Sequence, residues 1–339
     1  MDALLAPGRR NIVVIGASAG GVDALRALFA SLPADLSASY FVVLHLSAQY
    51  PSQLDRILQA VTPMPVRFGL DRHPIMPDTV YVACPDRHLM IEGDHLRVTR
   101  GPKESRARPS VDVLFRSAAV AFGPRVIGVV LSGSLDDGTA GLWQVKDRKG
   151  LALVQDPHEA LHSSMPDSAI EHVAVDFVGT VEELAARIAQ EAVKALPSEP
   201  ATTPRPGQQV ENAIALGENG MHPGVLELGT PSTFTCPECK GALIRIEEGK
   251  LVRFRCHTGH AYSSRALLSD VNTVIDNDLW SAIRAIEERI MLLGQMADQA
   301  DAGGDPVEAG RLRARAEEAE RKCQPLRDLV LDTDFFAQD

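Results

Sequence analysis

The chain has 339 residues, 45% hydrophobic and 23% charged, a length that suits two domains and a composition ordinary for globular protein. A formal net charge of −11 argues against general nucleic-acid binding, no apolar run is long enough to span a membrane, and the opening MDALLAPGRRN has no secretory pattern. Five cysteines, two of them in a C-x-x-C pair, then read as metal ligands rather than disulfides, and the cytoplasm is the expected compartment.

Over residues 11–191, short apolar runs alternate with helical patterns. Strands are predicted at NIVVIGA, YFVVLHL, TVYVAC, RVIGVVLSG, LALVQD and VDFVG. Helices are predicted at GGVDALRALFASL, SQLDRILQAV, SVDVLFRSAAVAF, GTAGLWQVKDRKG, SSMPDSAIEH and TVEELAARIAQEAVKAL. This alternation predicts an α/β fold, a doubly wound, mostly parallel sheet in a Rossmann-like three-layer sandwich. The insert HLMIEGDHLRVTRG predicts a hairpin. Residues 197–209, PSEPATTPRPGQQ, have linker composition. A small cysteine-bearing module follows. Beyond it, DAGGDP breaks a helical tail in two, predicting a helical hairpin. In its first half Trp280, Ile283, Ile286, Ile290, Leu293 and Met296 recur at three- and four-residue steps, one apolar stripe. The division is 1–196 α/β domain, 197–230 linker, 231–264 cysteine module and 265–339 tail.

The first strand runs into a glycine-rich turn and a helix, NIVVIGASAGGVDALRALF. That geometry serves a dinucleotide cradle or a nucleophile elbow. The cradle needs glycine where Ser18 stands and an acid at the end of the next strand, which instead ends in His45-Leu46. The match is to the elbow, G-x-S-x-G. A nucleophilic serine needs a base, and the base needs an orienting acid. In open α/β sheets ligands bind outside the carboxyl ends of the strands, which confines the search. Ser18 closes the first strand, His45 the second, and Asp136 or Asp137 follows RVIGVVLSG. Each also has a plain structural reading, as helix cap, packed core histidine and turn aspartate; their convergence at one sheet edge favours a site. Backbone N–H groups after Ser18, at Ala19 and Gly20, would serve an oxyanion.

IGASAGG, LHLS, RPSVDVLFRSAA, VVLSGSLDDGTAGL and SSMPDSAI, in this order and spacing, resemble the catalytic domain of chemotaxis-type protein-glutamate methylesterases. The resemblance covers roughly the first 190 residues. It implies a doubly wound hydrolase that removes methyl esters from receptor glutamates, with deamidation of receptor glutamines as a companion activity. It also implies Ser18 as nucleophile, His45 as general base and Asp137 as orienting acid. The family commonly writes S/T-G-M-G-x-D-G before the acid; here SGSLDDG puts Ser134 for methionine and Leu135 for glycine, and Ala19 stands where threonine is frequent. About ten residues precede the first strand, so no receiver domain and no control by phosphorylation in cis are expected. Arg100, Lys103, Arg106 and Arg108 form a basic stretch, read either as a solvated loop or as a surface for an acidic receptor helix.

In CPECKGALIRIEEGKLVRFRCHTGH, Cys236-x-x-Cys239, Cys256 and His260 have the spacing of a structural Zn²⁺ site built on a hairpin. His257 is the alternative fourth ligand. Four protein ligands leave no open position, so no catalytic metal is expected. Partners are expected to be methylated receptor helices, with a second copy through the tail as an alternative to a tail that packs on itself. No nucleic acid and no membrane insertion are expected. The competing functional readings are a non-catalytic adaptor and a hydrolase of a different ester.

Overall fold

A computed structural model describes residues 8–45, 50–196, 203–217 and 223–336. The first seven residues of the opening segment read for a leader, Leu46 and Ser47 of LHLS, and the first six residues of the linker stretch lie outside them. Two compact units are present, Met1–Leu267 and Leu268–Asp339. Among the described residues no helix is long and apolar enough to cross a membrane.

The first unit is a doubly wound α/β sandwich. Its sheet is formed by β1 (Ile12–Ala17), β2 (Ser39–Leu44), β3 (Val66–Phe68), β4 (Val80–Val82), β7 (Val126–Val130), β8 (Leu151–Gln155) and β9 (Phe177–Gly179). The spatial order is β3-β4-β2-β1-β7-β8-β9, every neighbouring pair parallel. Strands buried on both faces read as continuous apolar runs, and β1, IVVIGA, is buried throughout. Val13 and Ile15 enter one core layer with Leu25 and Leu28 of α1 (Gly21–Ser31) and Leu184 and Ile188 of α6 (Val181–Val193). Ile12 and Val14 enter the opposite layer with Leu114 and Phe115 of α3 (Val111–Phe122) and Leu142 of α4 (Thr139–Asp147). A capping box starts α6: the Glu183 N–H donates to Thr180 Oγ1, and the Thr180 N–H to Glu183 Oε2.

Strand direction reverses its progress between β1 and β7, which is where ligands enter such sheets. Beside the sheet lies the hairpin β5–β6 (His88–Glu92, His95–Thr99). The strand β3, absent from the sequence reading, is a three-residue edge strand with no buried residue to mark it.

The cysteine module is a four-stranded antiparallel ribbon in the order β10-β11-β12-β13, from Thr230–Thr235, Ala242–Glu248, Leu251–Cys256 and Ala261–Ser263. The central hairpin matches the sequence reading; β10 and β13 were not foreseen, being polar or three residues long. Another difference is α7 (Pro206–Leu216), which overlaps the stretch of linker composition. Its Pro206 stands at the first helical position, where the missing N–H costs nothing, and Gly217 closes it at φ 75°. Glu211, Ile214 and Ala215 of α7 are buried.

The second unit is helical. It holds most of α8 (Ser264–Ala302) and all of α9 (Pro306–Val330), which opens after Asp305, whose carboxylate accepts the Glu308 N–H. Ile283, Cys323 and Val330 form one buried cluster, and Leu293, Ala297 and Leu312 another. The predicted stripe is corrected at its ends: Trp280 is 49% and Met296 44% exposed. The buried line steps through Leu279, Ile283, Ile286, Leu293, Ala297 and Ala300, because small alanines let α9 approach closely where a methionine would not.

Candidate active site

At the carboxyl edge of the sheet, Ser18 follows β1, His45 follows β2, and Asp137 lies seven residues beyond β7. His45 Nδ1 is 3.2 Å from Ser18 Oγ, and His45 Nε2 is 2.7 Å from Asp137 Oδ2. The imidazole thus faces serine with Nδ1 and aspartate with Nε2, the reverse of the arrangement in serine proteases. With Nε2–H donating to the carboxylate, Nδ1 is left to accept the proton of Ser18. Asp136, the alternative acid, turns instead toward the ribbon and accepts the Ser263 hydroxyl at 2.7 Å.

Asp137 is 2% exposed and sits on the N-terminus of α3. Its oxygens accept from Val111 N–H (2.8 Å), Asp112 N–H (3.0 Å) and Ser110 Oγ–H (2.9 Å). Burial alone would raise its carboxyl, but His45 and these helix N–H groups hold it below the usual range. Burial first, and Asp137 second, push the neighbouring Asp112 carboxyl well above its ordinary value. Asp112 Oδ1 accepts the N–H groups of Gly138 (2.9 Å) and Gly141 (2.7 Å), so it braces the loop that carries Asp137. The two adjacent buried carboxyls are thus pushed in opposite directions, Asp112 up and Asp137 down. His88, fully buried, accepts the Ser110 N–H on Nδ1 and donates from Nε2 to the Pro102 carbonyl.

The Ser18 N–H donates to Ser132 O, so it is not free for an oxyanion. The next N–H groups, at Ala19 and Gly20, stand at the head of α1. Gly20 has φ 73°, and a Cβ there would meet Ser132 Oγ at 2.7 Å and Leu161 Cβ at 2.8 Å. Leu135 adopts φ 62°, the left-handed region, at the position where the methylesterase pattern has glycine. Ser134 lines the same cavity, which measures about 450 Å³. Its facing wall is Lys103 with residues 105–108.

The basic stretch has acidic partners within the chain. Arg100 and Arg108 both pair with Asp86, at 2.9 and 2.6 Å, and Lys103 pairs with Glu238 at 3.7 Å. Arg100, Lys103 and Arg108 are thus set against carboxylates, which lowers the positive field the sequence implied. Sequence reasoning missed Asp112, Ser110 and His88. The run RPSVD carried the signal, since serine before a helix followed by aspartate marks an N-terminus able to hold an anion.

In the ribbon, Cys236, Cys239, Cys256 and His260 present ligand atoms all within 4.8 Å of one another. Two knuckles bring them together. Lys240, at φ 61°, lets the Cys236 N–H reach Gly241 O, and Gly259, at φ 101°, lets the Cys256 N–H reach His260 O. Cys236 Sγ and Cys256 Sγ each lie 3.6 Å from His260 Nδ1, and Cys239 Sγ lies 3.6 Å from Cys256 Sγ. A tetrahedral Zn²⁺ site implies edges of about 3.8 Å between sulfurs and about 3.5 Å from sulfur to nitrogen, which these separations fit. Contact with the Cys236 sulfur draws the Cys256 thiol down to about 6. His257 lies outside this group, its ring against Gly241.

A serine, a histidine and an aspartate in one hydrogen-bonded line, at the switch point of a doubly wound parallel sheet, define a class of α/β protein with an elbow serine. The chain belongs to the CheB methylesterase family, whose model matches residues 13–188, just over half of it. A putative protein-glutamate methylesterase/protein-glutamine glutaminase of Leptospira interrogans is 37% identical over 174 residues, 51% of this chain and 90% of that one. Protein-glutamate methylesterase/protein-glutamine glutaminase 2 of Methanosarcina mazei is 34% identical over 187 residues, 53% of this chain and 51% of its own. The chain therefore spans about half the length of this longer relative. The crystal structure of the Thermotoga maritima CheB methylesterase catalytic domain superposes with TM-score 0.52 and 28% identity, over 55% of this chain and 99% of that one. The ribbon and the helical unit lie beyond the residues the family model matches.

Proposed function

We propose that this chain hydrolyses glutamate methyl esters on chemoreceptor-type proteins, releasing glutamate and methanol. One observation carries the reading: the Ser18–His45–Asp137 line opens into a cavity at the sheet's carboxyl edge. Ser18 Oγ attacks the ester carbonyl as His45 Nδ1 takes its proton. Asp137, already ionised, stabilises the imidazolium through Nε2. The Ala19 and Gly20 N–H groups receive the negative oxygen, aided by the α1 dipole. His45 then protonates the departing methoxide, leaving an acyl-enzyme on Ser18. Water attacks that ester with His45 again as base, and glutamate leaves. A primary amide in place of the ester releases ammonia by the same steps, which accounts for glutamine deamidation. Ser134 and Leu135 depart from the family pattern beside the oxyanion, and this favours a second reading, a hydrolase of another ester.

For the ribbon we infer a structural Zn²⁺ held by Cys236, Cys239, Cys256 and His260, which would replace thiol protons and staple a module of small core. Metal content of the purified chain checks it: about one zinc per chain is expected, falling in Cys239→Ser.

Methanol release from a methylated receptor cytoplasmic fragment tests the enzyme reading. Wild type should release it and Ser18→Ala should not. Zinc-loaded wild type that releases none, but cleaves small esters, would favour the second reading.

A further inference from the structure

We propose that the cysteine ribbon buttresses a wall of the active site: through β13 and Arg255 it holds the 103–108 segment beside Ser18, so that substrate binding depends on the metal-folded ribbon. What the pocket binds rests on the hydrolase reading; the clamp itself rests on contacts alone.

The 103–108 segment is a poor candidate to hold its own shape. It has no regular secondary structure, and Ser105 and Arg106 adopt φ 49° and 66°, unfavourable for non-glycine residues. Its internal ties are two bonds between Glu104 and Ala107. The ribbon supplies several of its anchors. The Ser105 N–H donates to Ala261 O at 2.8 Å, and the Ala261 N–H to Lys103 O at 3.3 Å, extending the ribbon's edge strand by one parallel bridge. Between them the Glu104 side chain turns inward, 2% exposed, to Arg255 at 2.9 Å and Arg116 of α3 at 2.8 Å. Two residues further along β13, Ser263 holds Asp136, next to Asp137 in the opposite wall of the same cavity. One three-residue strand thus touches both walls.

That strand starts directly after His260. Its own partner is β12, which ends in Cys256. The ribbon's core cluster consists of Cys236, Leu243, Phe254, Cys256, Tyr262, Ala266 and Leu267. Two of these seven are metal-ligating candidates, so the cluster has little to order it when the ion is gone. Ala261, Ser263 and Arg255 are therefore positioning residues that act through the 103–108 segment and Asp136. Their loss should weaken binding of a protein substrate and leave the nucleophile reactive.

Hydrogen exchange on the full chain, zinc-loaded and after zinc removal with a chelator, reads this without reference to activity. Peptides covering 103–108 should exchange about tenfold faster or more after removal, while β1 and β7 stay protected. In parallel, KM for the methylated fragment should rise about tenfold with a smaller change in kcat, and Ser18 should still react with a fluorophosphonate probe. Retained protection over 103–108 and an unchanged KM, with the 236–260 peptides deprotected, would overturn the proposal, as would a chain that takes up no zinc under reducing conditions. If β1 also loses protection on chelation, zinc-loaded Ser263→Ala decides. A KM raised about threefold and restored by Ser263→Thr supports the clamp; an unchanged KM overturns it. Absent Ser18 labelling in zinc-loaded wild type speaks against the hydrolase reading alone, because the exchange result decides the clamp in either case.

Discussion

Asp112 and Asp137 are adjacent buried carboxyls with opposite fates. Asp137 receives three donors from the start of α3 and one from His45, whereas burial and Asp137's charge raise Asp112. Their substitutions should therefore differ sharply. Asp137→Asn keeps the shape but removes the charge that stabilises the imidazolium, and kcat should fall by about 10⁴. Asp112→Asn replaces a carboxyl that does not touch His45, and its Oδ1 can still accept from Gly138 and Gly141, so kcat should stay within about tenfold of wild type. Methanol-release kinetics on the two variants check this; equal losses would mean that the charge resides on Asp112. Gly20→Ala would force a methyl group into Ser132 and Leu161 at a φ of 73°. It should cost about 1–3 kcal/mol of stability and most of the activity, read by thermal melting and methanol release.

Among the elements, α7 and β12 are joined to the α/β core by a buried ion network. Glu104, Glu211 and Glu248 meet Arg116, Arg253 and Arg255, three charges of each sign. Such a network is a weak source of net stability but costly to leave half-formed. Burial would raise the Glu104 carboxyl, yet Arg116 and Arg255 pull it down to about 2, with Glu211 of α7 opposing them. A depressed carboxyl contributes stability above its unfolded pKa of about 4.3 and loses it as pH falls toward the folded value. Glu211, held well below the usual range against burial by Arg253 and Arg255, has the same sign. Unfolding free energy should thus drop between about pH 5 and pH 2, with a shallower slope in Glu104→Gln. At neutral pH that variant should be about 3–5 kcal/mol less stable, because two arginines lose a buried partner. Urea unfolding across this pH range checks both.

At the scale of the whole molecule, the 13–188 family match and the compact unit Met1–Leu267 do not coincide. A chain shortened after Leu196 would lose Arg255 and Glu211 from the Glu104–Arg116 pair, and Ala215 O as the acceptor of the Thr99 hydroxyl. It should melt well below one shortened after Leu267, with a wider cavity at Ser18. Similar melting of the two, measured calorimetrically, would show that the α/β core is self-sufficient.

Much of this architecture is written locally. The inner strands of the sheet are continuous apolar runs because both their faces are covered, and α1 and α6 show a single buried stripe. Ser18, His45 and Asp137 could be singled out because each follows a strand, and parallel strands deliver their carboxyl ends to one edge. C-x-x-C with a later cysteine and histidine is equally local, since a hairpin returns the chain to its start. What lay outside sequence reading has no period and no fixed spacing. Arg253 and Arg255 alternate along β12 as a solvated face would, and only packing against α7 reveals a buried one. Glu104 sits in a polar loop, and its partners lie 12 and 151 residues away. That the ribbon packs behind the 103–108 segment was decided by the tertiary structure, because buried charges declare themselves only when their counter-charges arrive from elsewhere in the chain.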